Sequence, residues 1–122
     1  MIDRILNSLH GFIAKTSGIS LEEHTKHVLI ELEYLFTNRK LLLDKYSNSF
    51  NLPIERVKEY AKYSVLFHDY GKSYDRWQKH CKSNNLQNVD LRHEYIYTNQ
   101  IINFLEKKLQ YSHDEILLIL IS

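Results

Sequence analysis

Only four residues punctuate this chain of 122: Gly11, Gly18, Pro53 and Gly71. Glycine loosens the backbone, and proline removes a donor and fixes φ. Their scarcity leaves long stretches in which nothing interrupts a hydrogen-bonded helix. Apolar residues recur in those stretches at intervals of three and four, the period of one helical face. The expectation is an all-α fold, one domain over residues 1–122, with short connections. Apolar residues at 43% and charged residues at 25% are ordinary globular proportions and argue against a disordered or fibrous chain.

Ile5, Leu6, Leu9 and Ile13 predict a first amphipathic helix from Ile2 to about Ala14, closed by a loop at Thr16-Ser17-Gly18. Ser20 and Glu23 form a Ser-x-x-Glu capping box, so a second helix is expected from Leu21 to about Tyr46. Its inward stripe would be Leu21, His24, Val28, Leu32, Leu35, Leu42 and Leu43. After a turn at Asn48 to Asn51, Pro53 suits the first position of a third helix, with the stripe Ile54, Val57, Ala61, Val65 and His68. Gly71 breaks that pattern just past Asp69. A short amphipathic segment from Ser73 to Cys81 follows, then a polar loop from Lys82 to Asn88.

Asp90 is placed to cap a helix from Leu91 to about Gln110, with His93 in its first turn. Ser112 and Glu115 make a second capping box before the last helix. That helix is still apolar at Ile121 and carries no stop signal, so a domain truncated at its C-terminus is expected.

One cysteine, Cys81, excludes an internal disulfide and a thiolate zinc site. The N-terminus lacks the apolar core and cleavage site of a signal peptide, and the run from Ile116 to Ile121 is too short to span a bilayer. A cytoplasmic protein without membrane contact is expected. The formal charge of +1 provides no global field for a polyanion, so any nucleic-acid binding has to come from local features.

The chemistry-bearing residues are histidines at helix ends or on inward faces, one of them, His68, followed directly by Asp69. Imidazole and carboxylate together suit divalent ions of the Mn, Ni, Co, Fe, Mg or Zn type, and a site without thiolates keeps positions open for water and substrate. Any one of these histidines alone is ordinarily a satisfied core or surface residue. His27 falls off the apolar stripe, and His10, His80 and His113 belong to no pattern; all four are expected at the surface.

The combination has a recognisable form. Phe67-His68-Asp69-Tyr70-Gly71-Lys72 resembles the His-Asp-x-Gly-Lys signature of the HD superfamily. With Leu21-Glu22-Glu23-His24-Thr25 before it, and Ser73-Tyr74-Asp75-Arg76-Trp77-Gln78 and Leu91-Arg92-His93-Glu94 after it, the set is similar to the HD nuclease domain of the CRISPR-associated helicase–nuclease family. The likeness covers roughly residues 21–94.

It implies an HD-domain helical bundle in which His24, His68 and Asp69 bind one metal ion. Asp69 would bridge to a second ion that also takes His93. It implies catalytic roles for Asp69 and Lys72, and substrate contacts from Lys72, Arg76 and Arg92. The implied substrate is single-stranded DNA, cut by exonuclease or endonuclease action during CRISPR interference, with a helicase domain or subunit and an RNA-guided complex as partners.

Two elements of the family pattern are missing: an adjacent histidine pair on the following helix and a distal aspartate. That leaves the second ion with Asp69 and His93 alone. Lys72 is equally readable as a cation favoured near a helix C-terminus, and Trp77 is expected in the core. Two other readings stay open: an HD phosphohydrolase acting on small nucleotides, and a non-catalytic metal-binding or docking module.

Overall fold

The computed structural model describes residues 1–15, 17–82 and 97–121. Helices dominate: α1 (Ile2–Ser8), α2 (Leu21–Asn38), α3 (Lys40–Phe50), α4 (Ile54–His68), α5 (Asp75–Lys82), α6 (Thr98–Lys107) and α7 (His113–Ile121), with a 3-10 turn at Tyr70–Ser73. Among the described residues there is no strand, only an isolated antiparallel bridge between Ile13 and Ser20. The all-α expectation therefore holds. The expected Asp90 cap, the Leu91 helix start and the loop to Asn88 lie outside the described residues, together with Arg92 and His93.

Helix α4 is the axis of the fold and packs against α1, α2, α3 and α7. Tyr60, Tyr63 and Leu66 on α4 meet Ile5 and Leu6 of α1, Ile101 and Leu105 of α6, and Ile116 and Ile119 of α7 in one core. Leu66 and Leu105 are fully enclosed, each contributing about 1.5–3 kcal/mol of apolar burial. A smaller cluster of Leu9, Ala14 and Leu21, with Phe12 and Tyr70 against it, joins the N-terminal segment to the start of α2.

Both capping boxes close helix starts. The Glu23 N–H donates to Ser20 Oγ at 3.3 Å. At α7 the exchange is reciprocal: the Glu115 N–H donates to Ser112 Oγ at 3.3 Å and the Ser112 N–H to Glu115 Oε1 at 3.1 Å.

Several expected boundaries are corrected. The first helix stops at Ser8 rather than near Ala14, because the chain turns through Gly11 at φ +87° into the bridge with Ser20. The helix expected from Leu21 to Tyr46 is two helices, broken at Arg39 (φ −126°, ψ 49°). Side chains just before the break turn back on the helix: Thr37 Oγ1 donates to the Glu33 carbonyl at 3.1 Å and Asn38 Nδ2 to the Tyr34 carbonyl at 2.9 Å. Asn51, left-handed at φ 53°, ends α3.

Pro53 caps α4 from outside rather than occupying its first turn. The helix expected from Leu91 to Gln110 cannot be continuous, since Tyr97 stands at φ 64° and α6 ends at Lys107.

The stripe expected from Leu21 to Leu43 holds at its two ends, both buried, and fails between them, while the α4 stripe is rotated. On α2 the buried residues are Leu21, Thr25 and Phe36, while Val28 and Leu35 are exposed. On α4 the buried face is Tyr60, Tyr63 and Leu66, and the expected stripe of Val57, Ala61, Val65 and His68 lines concavities instead.

Candidate metal centre

Helix α4 ends at His68 because Asp69 leaves helical geometry (φ −107°, ψ 12°) and the chain tightens into the 3-10 turn. The Lys72 N–H donates to the Asp69 carbonyl at 3.0 Å, and the Tyr74 N–H to the Gly71 carbonyl at 3.1 Å. This tight turn brings Lys72 back over Asp69. On the facing helix, His24 sits in the first turn of α2, where the Ser20 cap and the buried Leu21 fix its position.

Three nitrogens surround one carboxylate. His24 Nε2 lies 3.2 Å from Asp69 Oδ2, across 45 residues of sequence. Lys72 Nζ is 3.4 Å from Asp69 Oδ1, and His68 Nε2 is 3.8 Å from the same oxygen. Asp69 is 8% exposed, a burial a carboxylate tolerates only with partners of this kind. The Lys72 ammonium also lies over the Trp77 ring, 5.6 Å from its centroid. Trp77 is in the core, as expected.

A cavity of about 110 Å³ opens beside the carboxylate, lined by His24, Thr25, Val28, Ser64, Val65, His68 and Asp69. Ligands bonded at about 2.1 Å to one ion sit roughly 3.0–3.4 Å from one another. His24 and Asp69 meet that spacing. His68 stands slightly outside it, with 69% of its side chain exposed. Among the described residues no group of three His, Cys, Asp or Glu side chains closes on a single point in the arrangement as it stands. His24 and Asp69 are thus two donors at metal-ligand spacing, with the second imidazole, His68, at their edge.

A residue without an assigned role in the sequence reading organises this corner. The Gln78 amide, 3% exposed, accepts from the Ile13 N–H at 3.0 Å and donates to the Ile13 carbonyl at 2.9 Å and the Lys72 carbonyl at 2.6 Å. It ties α5, the turn carrying Lys72 and the N-terminal segment into one unit. Its partner Ile13 is 65 residues away, so no local pattern announces it.

Arg76 is exposed on α5, and His27 is exposed on α2. His10 is at the surface with Nδ1 3.0 Å from Glu22 Oε2, and His113 is exposed at the start of α7. Lys26, at 2.8 Å, and His10 hold the Glu22 carboxyl below its ordinary pKa. No family model, no curated protein and no solved structure matches the chain.

Proposed function

We propose that this chain is a metal-dependent phosphoester hydrolase domain of the HD type, with its centre at Asp69. The observation that carries the reading is the gathering of His24, His68 and Lys72 around one nearly buried carboxylate beside a small cavity. A divalent ion bound there supplies a water of lowered pKa and stabilises charge developing on phosphate oxygens. Asp69 and His24 would seat the ion, with His68 as the third donor beside them. Lys72, whose ammonium lies 3.4 Å from Asp69 Oδ1, would offer it to a phosphate oxygen. Gln78 keeps the Lys72 turn in place.

The likeness of Phe67 to Lys72 and its flanks to the CRISPR-associated HD nucleases favours single-stranded DNA as the substrate, with a helicase and an RNA-guided complex as partners. His93 is the further ligand that this likeness implies, so the second ion is the weaker one.

The test is cleavage in Mn²⁺ of a labelled single-stranded oligonucleotide, run beside a panel of nucleotides and an Asp69→Asn variant. Oligonucleotide cleavage that disappears in the variant supports the reading. Turnover confined to the nucleotides would move the substrate to small phosphoesters, and turnover unaffected by Asp69→Asn would remove the centre altogether.

A further inference from the structure

A second concavity is chemically unlike the metal centre. It is a groove of about 530 Å³ between α2, α3 and α4, within the size range of small-molecule sites. Leu35, Leu42, Tyr46, Phe50, Val57 and Ala61 form its walls, and Leu35 and Leu42 are each 43% exposed. Apolar side chains gathered around one open groove differ from the scattered exposed leucines of an ordinary surface.

The mouth is basic. Arg39, at the break between α2 and α3, lines the groove itself, and Lys40 and Lys45 line the adjoining hollow with Leu35 and Leu42. None of these three cations has an ion-pair partner among the described residues, and Asp44, the one acid on α3, lines neither concavity.

We propose that this groove binds a free single-chain fatty carboxylate, the alkyl chain lying between α3 and α4 and the carboxylate meeting Arg39 at the mouth. The apolar walls favour an unbranched hydrocarbon by burial, and the unpaired guanidinium selects an anionic head by a bidentate contact. A neutral or cationic head would leave Arg39 facing the ligand without a counter-charge. The site is independent of the phosphoester reading, although its walls share Ser64 and Val65 with the Asp69 cavity.

The experiment is calorimetric titration of the chain with octanoate, decanoate and dodecanoate below their micellar concentrations, with dodecanol and dodecylammonium as head-group controls. Affinity should rise about tenfold for each two methylenes added, and dodecanoate should bind at least tenfold tighter than dodecanol. Arg39→Glu should reverse the preference towards dodecylammonium. Ala61→Trp should remove the chain-length gain, and Leu42→Glu, at an exposed position, should do the same without touching the core; circular dichroism checks that each variant is folded.

Affinity independent of chain length, or equal for the three heads, would overturn the proposal. So would sedimentation showing a dimer that Leu42→Glu dissociates while dodecanoate fails to bind, which would make the groove an interface between copies. Binding to phosphatidylcholine vesicles without binding of the free acid would overturn it in favour of a membrane-facing surface.

Discussion

Two carboxylate clusters, one towards each end of α4, gather partners in different ways. At the C-terminal end, Asp69 is met by two imidazoles and an ammonium at 3.2–3.8 Å, beside a cavity. Towards the N-terminal end, Glu115 of α7 accepts from the Tyr60 hydroxyl, and Glu59 accepts from the Tyr111 hydroxyl. The Tyr60 and Tyr111 rings meet edge to face 5.5 Å apart, and Arg56 stands 3.8 Å from Glu115.

The second cluster is closed. Its acids are bound by hydroxyls packed in the core, and Glu115 also completes the α7 capping box. The first is open, with exchangeable nitrogen donors and space beside them. A carboxylate whose partners are locked by packing holds helices together, whereas one whose partners can be traded for an ion is equipped to bind.

The largest effect expected from this contrast is on stability at the closed end. Tyr60→Ala should cost about 3–5 kcal/mol in urea unfolding, since it removes a buried ring and its bond to Glu115. Asp69→Asn should cost less than Tyr60→Ala, because its side chain lines a cavity and the amide keeps an acceptor. Equal losses would erase the distinction between the two clusters.

The next effect is the loss of the α7 cap. Ser112→Ala should lower stability by about 1 kcal/mol, read by the same unfolding curves.

A smaller and more selective signature is the response to pH. Burial, then the bond to Glu115, pushes the Tyr60 phenol up to about 12. The native state therefore holds that proton more tightly than the unfolded chain. The associated stability is present below the ordinary phenol range near pH 10 and is lost as pH rises through about 12. The Tyr60 hydroxyl, ahead of the Ser112 contacts, holds the Glu115 carboxyl below its ordinary 4.5, so that contribution is present above pH 4.5 and fades as pH falls. Tyr60→Phe should flatten the alkaline limb and reduce the acid one. An unchanged alkaline limb would assign it to another group.

The smallest expected effect is at the surface, where Lys26→Ala should leave the urea-unfolding midpoint essentially unchanged because the Lys26 ammonium that pairs with Glu22 stands in solvent.

What was legible in the sequence follows the range of the interactions. The two capping boxes are set by residues three apart, and both helix starts lie where Ser20 and Ser112 put them. The convergence of His24 with Asp69 is legible only through the resemblance of the motif order to the HD pattern, since nothing in periodicity brings residues 45 apart together. The break at Arg39 was not legible, because it depends on Thr37 and Asn38 turning their side chains onto carbonyls four residues back, a choice either residue makes only in context. The α4 stripe differs from its periodicity for another reason. A helix packed by neighbours on several sides has apolar residues around most of its circumference, so periodicity alone does not separate Val57 and Ala61 from the buried Tyr60 and Tyr63.

The central claim is that Asp69 organises a seat for a divalent ion, and the direct measurement is Mn²⁺ titration of the intact chain against Asp69→Asn and His27→Ala, followed by calorimetry and by the shift in unfolding midpoint. The account predicts one ion held through dialysis by the intact chain and by His27→Ala, a midpoint that rises with Mn²⁺ as mass action requires, and loss of both in Asp69→Asn. Equal metal loss in the two variants, or Mn²⁺ binding undiminished by Asp69→Asn, would contradict it.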